Sequence, residues 1–402
     1  MSSPVPPVPP APKSKANYGR LLLIAVLLLA VAGGIYGYFA YANRPPEPVD
    51  ESAALSGFLK DQAKYAKLAD EYADADGDLV ADAPKDGRYR DVKELIFTEV
   101  AGDDLEKTAA LWEPFRKHLE AKTGLPVKFL KIDAPAPEPG EAPADKPLSS
   151  VGVGQQIELL RAGKLQIAAF STGQVQMAVN TAGFVPLYSP ATAAGGYSYE
   201  MEVIVPADSP VQNVGDLKGK KVALVSLSSN SGWKAPIVHF RDKFGLAVNR
   251  DYTYTNTGSH EISMYGVAVG RDAAPVLANR KSTAEQKGEA RKAPGAKYDA
   301  ACVAGDLLAR VVGAGDIKPD QYRTIDKAGP FPPLAFGIAH DLKPELAAKI
   351  RDAFETFSFA GNTVGERFQS QERVKFARID YKKDWRAVRE IDAKLSDAIL
   401  SK

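Results

Sequence analysis

Short apolar runs alternate with amphipathic stretches from about residue 93 to the C-terminus. The run Lys93–Thr98 predicts a first strand, a helical pattern follows from about Asp104 to Thr123, and Pro126–Ile132 predicts a second strand. This alternation predicts an α/β fold with mainly parallel sheets. Two segments interrupt it, and we expect both to be surface insertions: the Pro-, Glu- and Ala-rich residues 134–148 and the charged residues 271–297.

The length of this region predicts two lobes, because about 310 residues are too many for one comfortable core. Two strand-like passages, Tyr197–Val205 and Leu334–Ala339, are candidates for the places where the chain crosses between the lobes. We therefore predict lobe I from residues 93–198 with 334–402, and lobe II from residues 199–333. The cleft between such lobes is the expected ligand site.

The N-terminal residues have a different pattern. Residues 1–20 are rich in Pro, Ala and Ser and predict a disordered cytoplasmic tail, while residues 21–42 carry no charge and are long enough to cross a bilayer core. Basic residues precede this span and acidic residues follow it, which predicts a single-pass protein of the inner (cytoplasmic) membrane with its folded domain on the periplasmic or extracellular side. The small-x-small sequence Ala40–Ala42 leaves a cleaved signal peptide as the alternative.

Residues 43–92 predict a linker, a juxtamembrane helix and an acidic turn. Apolar residues recur at helical spacing between Leu55 and Leu68. The acidic turn that follows has two interpretations: a solvated turn that caps the helix, which we prefer, or a set of hard oxygen ligands for calcium. Its aspartates are Asp74, Asp76, Asp78 and Asp82.

The stretch Lys220–Pro236 has the strongest chemical pattern. Val222–Val225 predicts a buried strand, and residues 226–232, SLSSNSG, form a hydroxyl-rich loop before a helix. The free N–H groups and the positive dipole end at a helix start suit a tetrahedral oxyanion. The alternative is that Ser229 or Asn230 only caps the helix. Because Pro236 lacks a backbone donor, the first helical turn is expected nearer Lys234.

Composition limits the other possibilities. The chain has 51 basic and 50 acidic residues among its 402, so its charge does not favour nucleic acid as a partner. Cys302 is the only cysteine, which excludes an intrachain disulfide and any multi-cysteine metal site. The sequence contains no nucleotide-binding loop, and its four histidines do not have the spacing of metal ligands. We therefore expect no cofactor and no enzymatic activity.

Several of these segments, in this order, resemble the phosphonate, phosphite and phosphate receptor family of ABC importers (PhnD-like), within the type 2 periplasmic-binding-protein fold. The resemblance covers Leu95 to Leu395 and implies a two-lobed fold. It is carried by the opening strand Leu95–Phe97, Leu111–Phe115, Ile157–Val179, Ser229–Trp233 with Pro236, Asn256–Glu261, Tyr298–Ala301 and Phe376–Arg389.

The resemblance also implies a ligand site. Asn230 stands where the family pattern has threonine, Phe170 where aminophosphonate receptors place a tyrosine, and Asp306 where they place a carboxylate. Val153 and Leu334 replace further polar contacts, so a compact anion is favoured over an aminoalkyl phosphonate. The implied ligand-binding residues are Phe170, Ser171, Thr172, Ser229, Asn230, Ser231, Gly232, His260 and Asp306.

The predicted function is that of a membrane-anchored extracytoplasmic solute-binding protein. It would bind phosphate, phosphite or a small phosphonate between its lobes and deliver it to an ABC permease and its ATPase. The alternative is an anchored sensor or scaffold of the same fold without a transport role. An enzyme is the second alternative, because the fold class also contains thiamine-pyrimidine synthases and a porphyrin-precursor polymerase, but their motifs are absent from this sequence.

Overall fold

The computed structural model describes residues 55, 58, 59, 65–99, 105–131, 148–279 and 281–400. All of these residues belong to one compact unit, Val49–Lys402. The predicted proline-rich tail and the apolar segment 21–42 lie outside the described residues, as does nearly all of the predicted insertion 134–148. Within the described part of the chain, no helix combines the length and the apolar character needed to span a bilayer.

Strands and helices alternate along most of the chain, as the hydrophobic pattern predicts. The strands are β1 (Leu95–Thr98), β2 (Val127–Phe129), β3 (Ile167–Ser171), β4 (Phe184–Thr192), β5 (Tyr199–Pro206), β6 (Lys221–Leu224), β7 (Thr253–Asn256), β8 (Ala300–Ala304), β9 (Tyr322–Phe331), β10 (Leu334–Ala339) and β11 (Arg373–Arg378). The helices are α1 (Leu105–Thr123), α2 (Leu148–Arg161), α3 (Val175–Ala182), α4 (Ala235–Phe244), α5 (His260–Ala268), α6 (Ala274–Ala278), α7 (Ala284–Lys292), α8 (Gly305–Gly313), α9 (Pro344–Thr356), α10 (Thr363–Phe368), α11 (Tyr381–Asp384) and α12 (Arg386–Leu400).

The strands form two separate sheets. The first has the order β11-β4-β10-β3-β1-β2, and the second has the order β7-β6-β8-β5-β9. The chain leaves the first sheet after β4, enters the second at β5 and returns to the first at β10. The chain therefore crosses between the sheets twice, first before β5 and then before β10. Both strands are passages at which the sequence predicts a crossing.

The prediction of mainly parallel sheets is wrong for the described strands. β1 pairs in parallel with β2 and β3, and β6 pairs in parallel with β7 and β8. The other neighbours, β10 with β3 and β4, β11 with β4, and β5 with β8 and β9, are antiparallel. The crossing strands β5 and β10 enter each sheet in the reverse direction, and hydrophobic periodicity does not report strand direction.

Two further predictions need correction. Tyr65, Ala66 and Leu68 lie in a turn, a bend and irregular chain, so the predicted juxtamembrane helix does not extend through them. Part of the predicted surface insertion 271–297 is buried, because Ala274 and Leu277 of helix α6 lie in the core, whereas helix α7 has no buried residue. Cys302 is fully buried on β8, where burial raises the pKa of its thiol, as expected for a core residue rather than a nucleophile.

Buried aromatic rings join the first sheet to its helices. Phe115 of α1 packs against Phe97 of β1 with ring centroids 5.6 Å apart, and against Phe354 of α9 at 4.7 Å. Phe336 of β10 lies 5.9 Å from Phe354. All four rings are buried, and such pairs add about 0.5–1.5 kcal/mol each beyond the area they bury. This packing holds the strands that carry one half of the candidate site.

Candidate functional site

The hydroxyl-rich stretch after β6, which we call the serine loop (residues 226–232), turns directly into a helix. Ser229 is the N-cap, and residues Asn230–Lys234 form a π-helical turn that leads into α4. The helical turn therefore begins earlier than the sequence predicted. Pro236 occupies one of the first positions of α4, where its missing backbone donor costs little.

Gly232 is required at its position in the serine loop. Its carbonyl accepts a hydrogen bond of 2.9 Å from the backbone N–H of Val225. A Cβ atom at residue 232 would lie 2.4 Å from the side chain of Val225, far closer than atoms can approach. A larger residue would push the loop away from the end of β6, so the glycine sets the distance between strand and helix.

Ser229 combines a capping role with a free donor. Its Oγ accepts a hydrogen bond from the N–H of Gly232 at 3.1 Å and lies 3.2 Å from Nε2 of His260. Nδ1 of His260 accepts from the N–H of Ala304, so the hydrogen of a neutral ring is on Nε2 and points to Ser229. With two donors aimed at its oxygen, the Ser229 hydroxyl has its own hydrogen left to donate outward.

His260 is a neutral donor rather than a cation. Burial, with a smaller effect from the positive charge of Arg310, lowers the pKa of His260 to about 4. At neutral pH the ring is therefore uncharged. It orients the Ser229 hydroxyl and brings no positive charge to the site.

Asn230 and Ser231 are both almost completely buried, yet their hydrogen bonding differs. Ser231 Oγ accepts a hydrogen bond of 3.2 Å from the hydroxyl of Tyr199 on β5. Neither amide atom of Asn230 has a hydrogen-bond partner among the described residues. An unsatisfied buried polar group costs about 1–3 kcal/mol, so this amide is placed where a further polar group would stabilise it.

Polar groups from both sheets meet at the Tyr199 phenol. Burial raises the pKa of Tyr199, while the hydrogen bond with Ser231 and the nearby polar groups of Thr172 and Asn230 oppose that rise. Tyr199 lies on a crossing strand of the second sheet, and Thr172 follows β3 of the first. The phenol therefore lies where residues of the two predicted lobes approach each other.

The turn after β3 contacts the serine loop directly. At Gly173, a Cβ atom would lie 2.3 Å from the carbonyl oxygen of Ser228 and 2.8 Å from the N–H nitrogen of Asn230. The next residue, Gln174, donates a long hydrogen bond of 3.4 Å from Nε2 to Ser228 Oγ, while its Oε1 has no partner among the described residues. The structure thus brings the turn at residues 171–174 and the serine loop together.

Not every residue of this turn presents its side chain to the serine loop. Phe170 is fully buried and packs edge-on against Phe184 at 4.9 Å. The Thr172 hydroxyl donates to the carbonyl of Pro332 at 2.7 Å, which commits its hydrogen to the protein. Ser171 is partly buried at the end of β3, and its carbonyl accepts from the N–H of Gln174.

Lys234 is a buried cation beside this junction. Its Nζ atom donates to the carbonyl of Gly173 at 2.8 Å and lies 2.9 Å from a carboxylate oxygen of Asp392 on α12. Both side chains are almost completely buried. The carboxylate of Asp392 balances the positive charge of Lys234. This lysine therefore connects the turn, the serine loop and the C-terminal helix, and its charge is not free to bind a ligand.

Asp306, at the start of α8, is also paired within the protein. Its carboxylate lies 3.1 Å from Nη2 of Arg373, the first residue of β11. Burial raises the pKa of Asp306, and the charge of Arg373 opposes that rise. The structure therefore places this predicted site residue in an internal ion pair between the second sheet's helix α8 and an edge strand of the first sheet.

Four residues of this arrangement were missed by the sequence analysis: Gln174, Tyr199, Lys234 and Arg373. Gln174, Tyr199 and Lys234 lie in segments to which the sequence assigns another role, such as the crossing strand for Tyr199, whereas Arg373 lies outside these segments. Only the unusual position of a lysine directly after the SNSGW sequence was visible without the fold.

The acidic turn has the geometry of a compact, internally bonded loop. Carboxylate oxygens of Asp74, Asp76 and Asp78 lie within 4.8 Å of one another. Each of these side chains accepts a hydrogen bond from a backbone N–H within the turn, and Asp82 accepts one from Ala75. Partial burial and the neighbouring aspartates raise the pKa of Asp78. These bonds account for the clustering by themselves, and calcium binding stays a hypothesis.

Comparison with known proteins adds to this geometry. The family model described as "ABC transporter, phosphonate, periplasmic substrate-binding protein" matches residues 152–385, more than half of the chain. The chain belongs to this family. It is therefore a periplasmic substrate-binding protein of the ABC phosphonate transporter type, and not an enzyme.

Solved structures show the same fold at low sequence identity. A binding protein component of an ABC phosphonate transporter from Pseudomonas aeruginosa is 18% identical with a TM-score of 0.52, over 77% of this chain and 97% of that one. PhnD1 from Prochlorococcus marinus, in complex with methylphosphonate, is 12% identical with a TM-score of 0.53, over 76% and 98%. A Xanthomonas citri protein bound to ATP is 14% identical with a TM-score of 0.54, over 77% and 100%.

Proposed function

We propose that this protein binds a compact phosphorus oxyanion, such as phosphate, phosphite or a small phosphonate, at the serine loop. The observation that carries the proposal is the buried amide of Asn230, which has no partner among the described residues and lies between Ser229 and Ser231. The outward hydrogen of Ser229 and the amide hydrogens of Asn230 are neutral donors at a helix start. Such donors suit an oxyanion whose charge is already spread over several oxygens.

Two contacts support a ligand site between the sheets. Gly173 approaches Ser228 and Asn230, and the side chain of Gln174 donates a hydrogen bond to Ser228. We expect the two lobes, residues 93–198 with 334–402 and residues 199–333, to close over the anion, so that both supply contacts. The closed form would then present the ligand to an ABC permease.

The proposal includes a membrane tether at residues 21–42, which rests on the uncharged apolar sequence there. With this tether, the folded domain stays close to the permease on the periplasmic side. Membrane fractionation of cells that express the full chain tests this point. Recovery of a shortened chain in the soluble periplasmic fraction would show that the segment is a cleaved signal peptide instead.

Titration calorimetry of the full chain in detergent, with phosphate, phosphite, methylphosphonate and sulfate, tests the binding. A ligand at a hundredfold its dissociation constant adds about 2.7 kcal/mol to the free energy of unfolding, so thermal unfolding is an independent readout. Ser231→Ala should weaken binding about ten- to a hundredfold, because a hydrogen bond to a charged group is worth about 1.5–3 kcal/mol. Ser370→Ala, at an exposed serine, is the control. Binding of none of these anions would refute the proposal, and full affinity in Ser231→Ala would refute the site.

A further inference from the structure

The ion pair between Asp306 and Arg373 joins elements of opposite sheets. Asp306 is the second residue of α8, which packs on β5 and β8 of the second sheet, whereas Arg373 is the first residue of β11 at the edge of the first sheet. Arg373 is only 4% exposed. A buried guanidinium and a largely buried carboxylate are stable together, and either one would be costly alone.

Several hydrogen bonds hold the pair in place. Nη2 of Arg373 lies 3.1 Å from Oδ2 of Asp306, and the other carboxylate oxygen accepts from the N–H of Leu307 at 3.0 Å. The side chain of Gln371, two residues before Arg373, donates to the backbone carbonyl of Asp306 at 3.2 Å. Both carboxylate oxygens of Asp306 are therefore occupied by groups of the protein.

Tyr199 connects this pair to the serine loop. Its hydroxyl donates to Ser231, as described above. Burial raises the pKa of Tyr199, and the negative charge of Asp306 adds to that rise. Desolvation lowers the pKa of Arg373, and the interactions with Asp306 and Tyr199 oppose this effect. The backbone N–H of Ala304, two residues before Asp306, donates to His260, which in turn bonds Ser229, so hydrogen bonds also link the start of α8 to the serine loop.

Charge around the serine loop is balanced within the protein. Lys234 is paired with Asp392 at 2.9 Å, and Asp306 with Arg373 at 3.1 Å. His260, the titratable ring that bonds Ser229, is neutral at pH 7. The carboxylates of Asp392 and Asp306 are therefore both paired with internal cations, and neither is free to receive a positively charged group of a ligand.

We infer that Arg373 is a specificity-determining residue, which occupies the carboxylate of Asp306 and thereby excludes phosphonates that carry an ammonium group. The inference rests on the proposed function and narrows its ligand class to phosphorus oxyanions without a cationic substituent. A ligand ammonium near Asp306 would either displace Arg373, leaving a buried guanidinium unpaired, or lie beside it as a like charge. Both outcomes are unfavourable, so the guanidinium of Arg373 disfavours binding of ligands that carry an ammonium group.

The test compares methylphosphonate with 2-aminoethylphosphonate by titration calorimetry on the full chain in detergent. The wild-type protein should bind methylphosphonate at least tenfold more tightly. Arg373→Gln frees the carboxylate and should change the ratio of the two dissociation constants at least tenfold in favour of 2-aminoethylphosphonate. The double variant Arg373→Gln/Asp306→Asn removes the carboxylate as well, and it should lose this gain.

A second variant removes the carboxylate of the ion pair and keeps its guanidinium. Asp306→Asn leaves the guanidinium of Arg373 without its carboxylate, so this variant should gain at least tenfold for phosphonoacetate, whose extra group is negative, relative to methylphosphonate. Circular dichroism identifies a variant that does not fold. If Arg373→Gln is such a variant, the wild-type preference and the Asp306→Asn gain decide the question.

The outcomes separate this inference from the proposed function. If the wild-type protein binds no phosphorus oxyanion, the proposed function fails. If it binds methylphosphonate and 2-aminoethylphosphonate equally, the function stands and the role of Arg373 is refuted. A folded Arg373→Gln variant that shows no gain for 2-aminoethylphosphonate relative to methylphosphonate also refutes it.

Discussion

Replacing Gly173 with alanine tests whether the turn after β3 and the serine loop meet when the protein binds its ligand. The added Cβ would lie 2.3 Å from the carbonyl oxygen of Ser228 and 2.8 Å from the backbone nitrogen of Asn230. Both obstacles are backbone atoms, so no side chain can rotate away. To restore ordinary contact, the turn and the loop must separate by about 1 Å, and overpacking of this kind costs about 1–3 kcal/mol.

This cost should fall on ligand affinity more than on folding. The turn belongs to the first sheet and the loop to the second, so a small separation of these two segments relieves the clash without unfolding either sheet. We therefore expect Gly173→Ala to weaken methylphosphonate binding by about five- to a hundredfold, since 1.4 kcal/mol corresponds to a factor of ten. The unfolding free energy without added ligand should fall by less than the binding free energy does.

Titration calorimetry and thermal unfolding of the same preparations measure the two effects. Gly154→Ala is the matched control, because a Cβ atom at this glycine of α2 meets nothing within 4 Å. Wild-type affinity in Gly173→Ala would refute the approach of turn and loop in the ligand-bound protein. An equal loss in Gly154→Ala would show that the effect is not specific to this contact.

Three other substitutions test the remaining features of the site. Asn230→Leu should raise the unfolding free energy by about 1 kcal/mol, because it removes a buried amide without partners among the described residues. The same variant should bind the anion at least tenfold more weakly. Lower stability with unchanged binding would contradict this. The depressed pKa of His260 means that the folded protein binds fewer protons than the unfolded chain between about pH 6.5 and 4. The free energy of unfolding should therefore fall as the pH drops through this window. Urea unfolding should show a fall up to about 3 kcal/mol larger in the wild-type protein than in His260→Gln. Lys234→Met should lower the free energy of unfolding by about 3–5 kcal/mol, because Asp392 is left buried and unpaired. The double variant Lys234→Met/Asp392→Leu should regain most of that free energy. An equal loss in both variants would argue against a stabilising ion pair.

The parts of the site that lie close together in sequence were predictable, and the parts that depend on topology were not. The strand at Val222–Val225, the hydroxyl-rich loop and the helix after it follow from local pattern alone, and the structure contains all three. The approach of Gly173 to Ser228 joins residues from different sheets, and hydrophobic periodicity does not encode which sheets touch. The same limit explains why strand direction was mispredicted and why Arg373 was not recognised as the partner of Asp306.

Capping and ligand binding, which the sequence presented as alternatives for the serine loop, use different atoms of the same residues. The oxygen of Ser229 accepts the N–H of Gly232, which is what a helix cap requires. Its hydrogen is not used by that bond, and His260 donates to the oxygen rather than accepting from it. Asn230, one residue further, has no capping bond, and its amide is buried without a partner among the described residues. Because the cap fixes the loop while these donors stay available, the helix start can be fully formed before an anion binds. The cost of ordering the loop is then met during folding and does not reduce the affinity for the ligand.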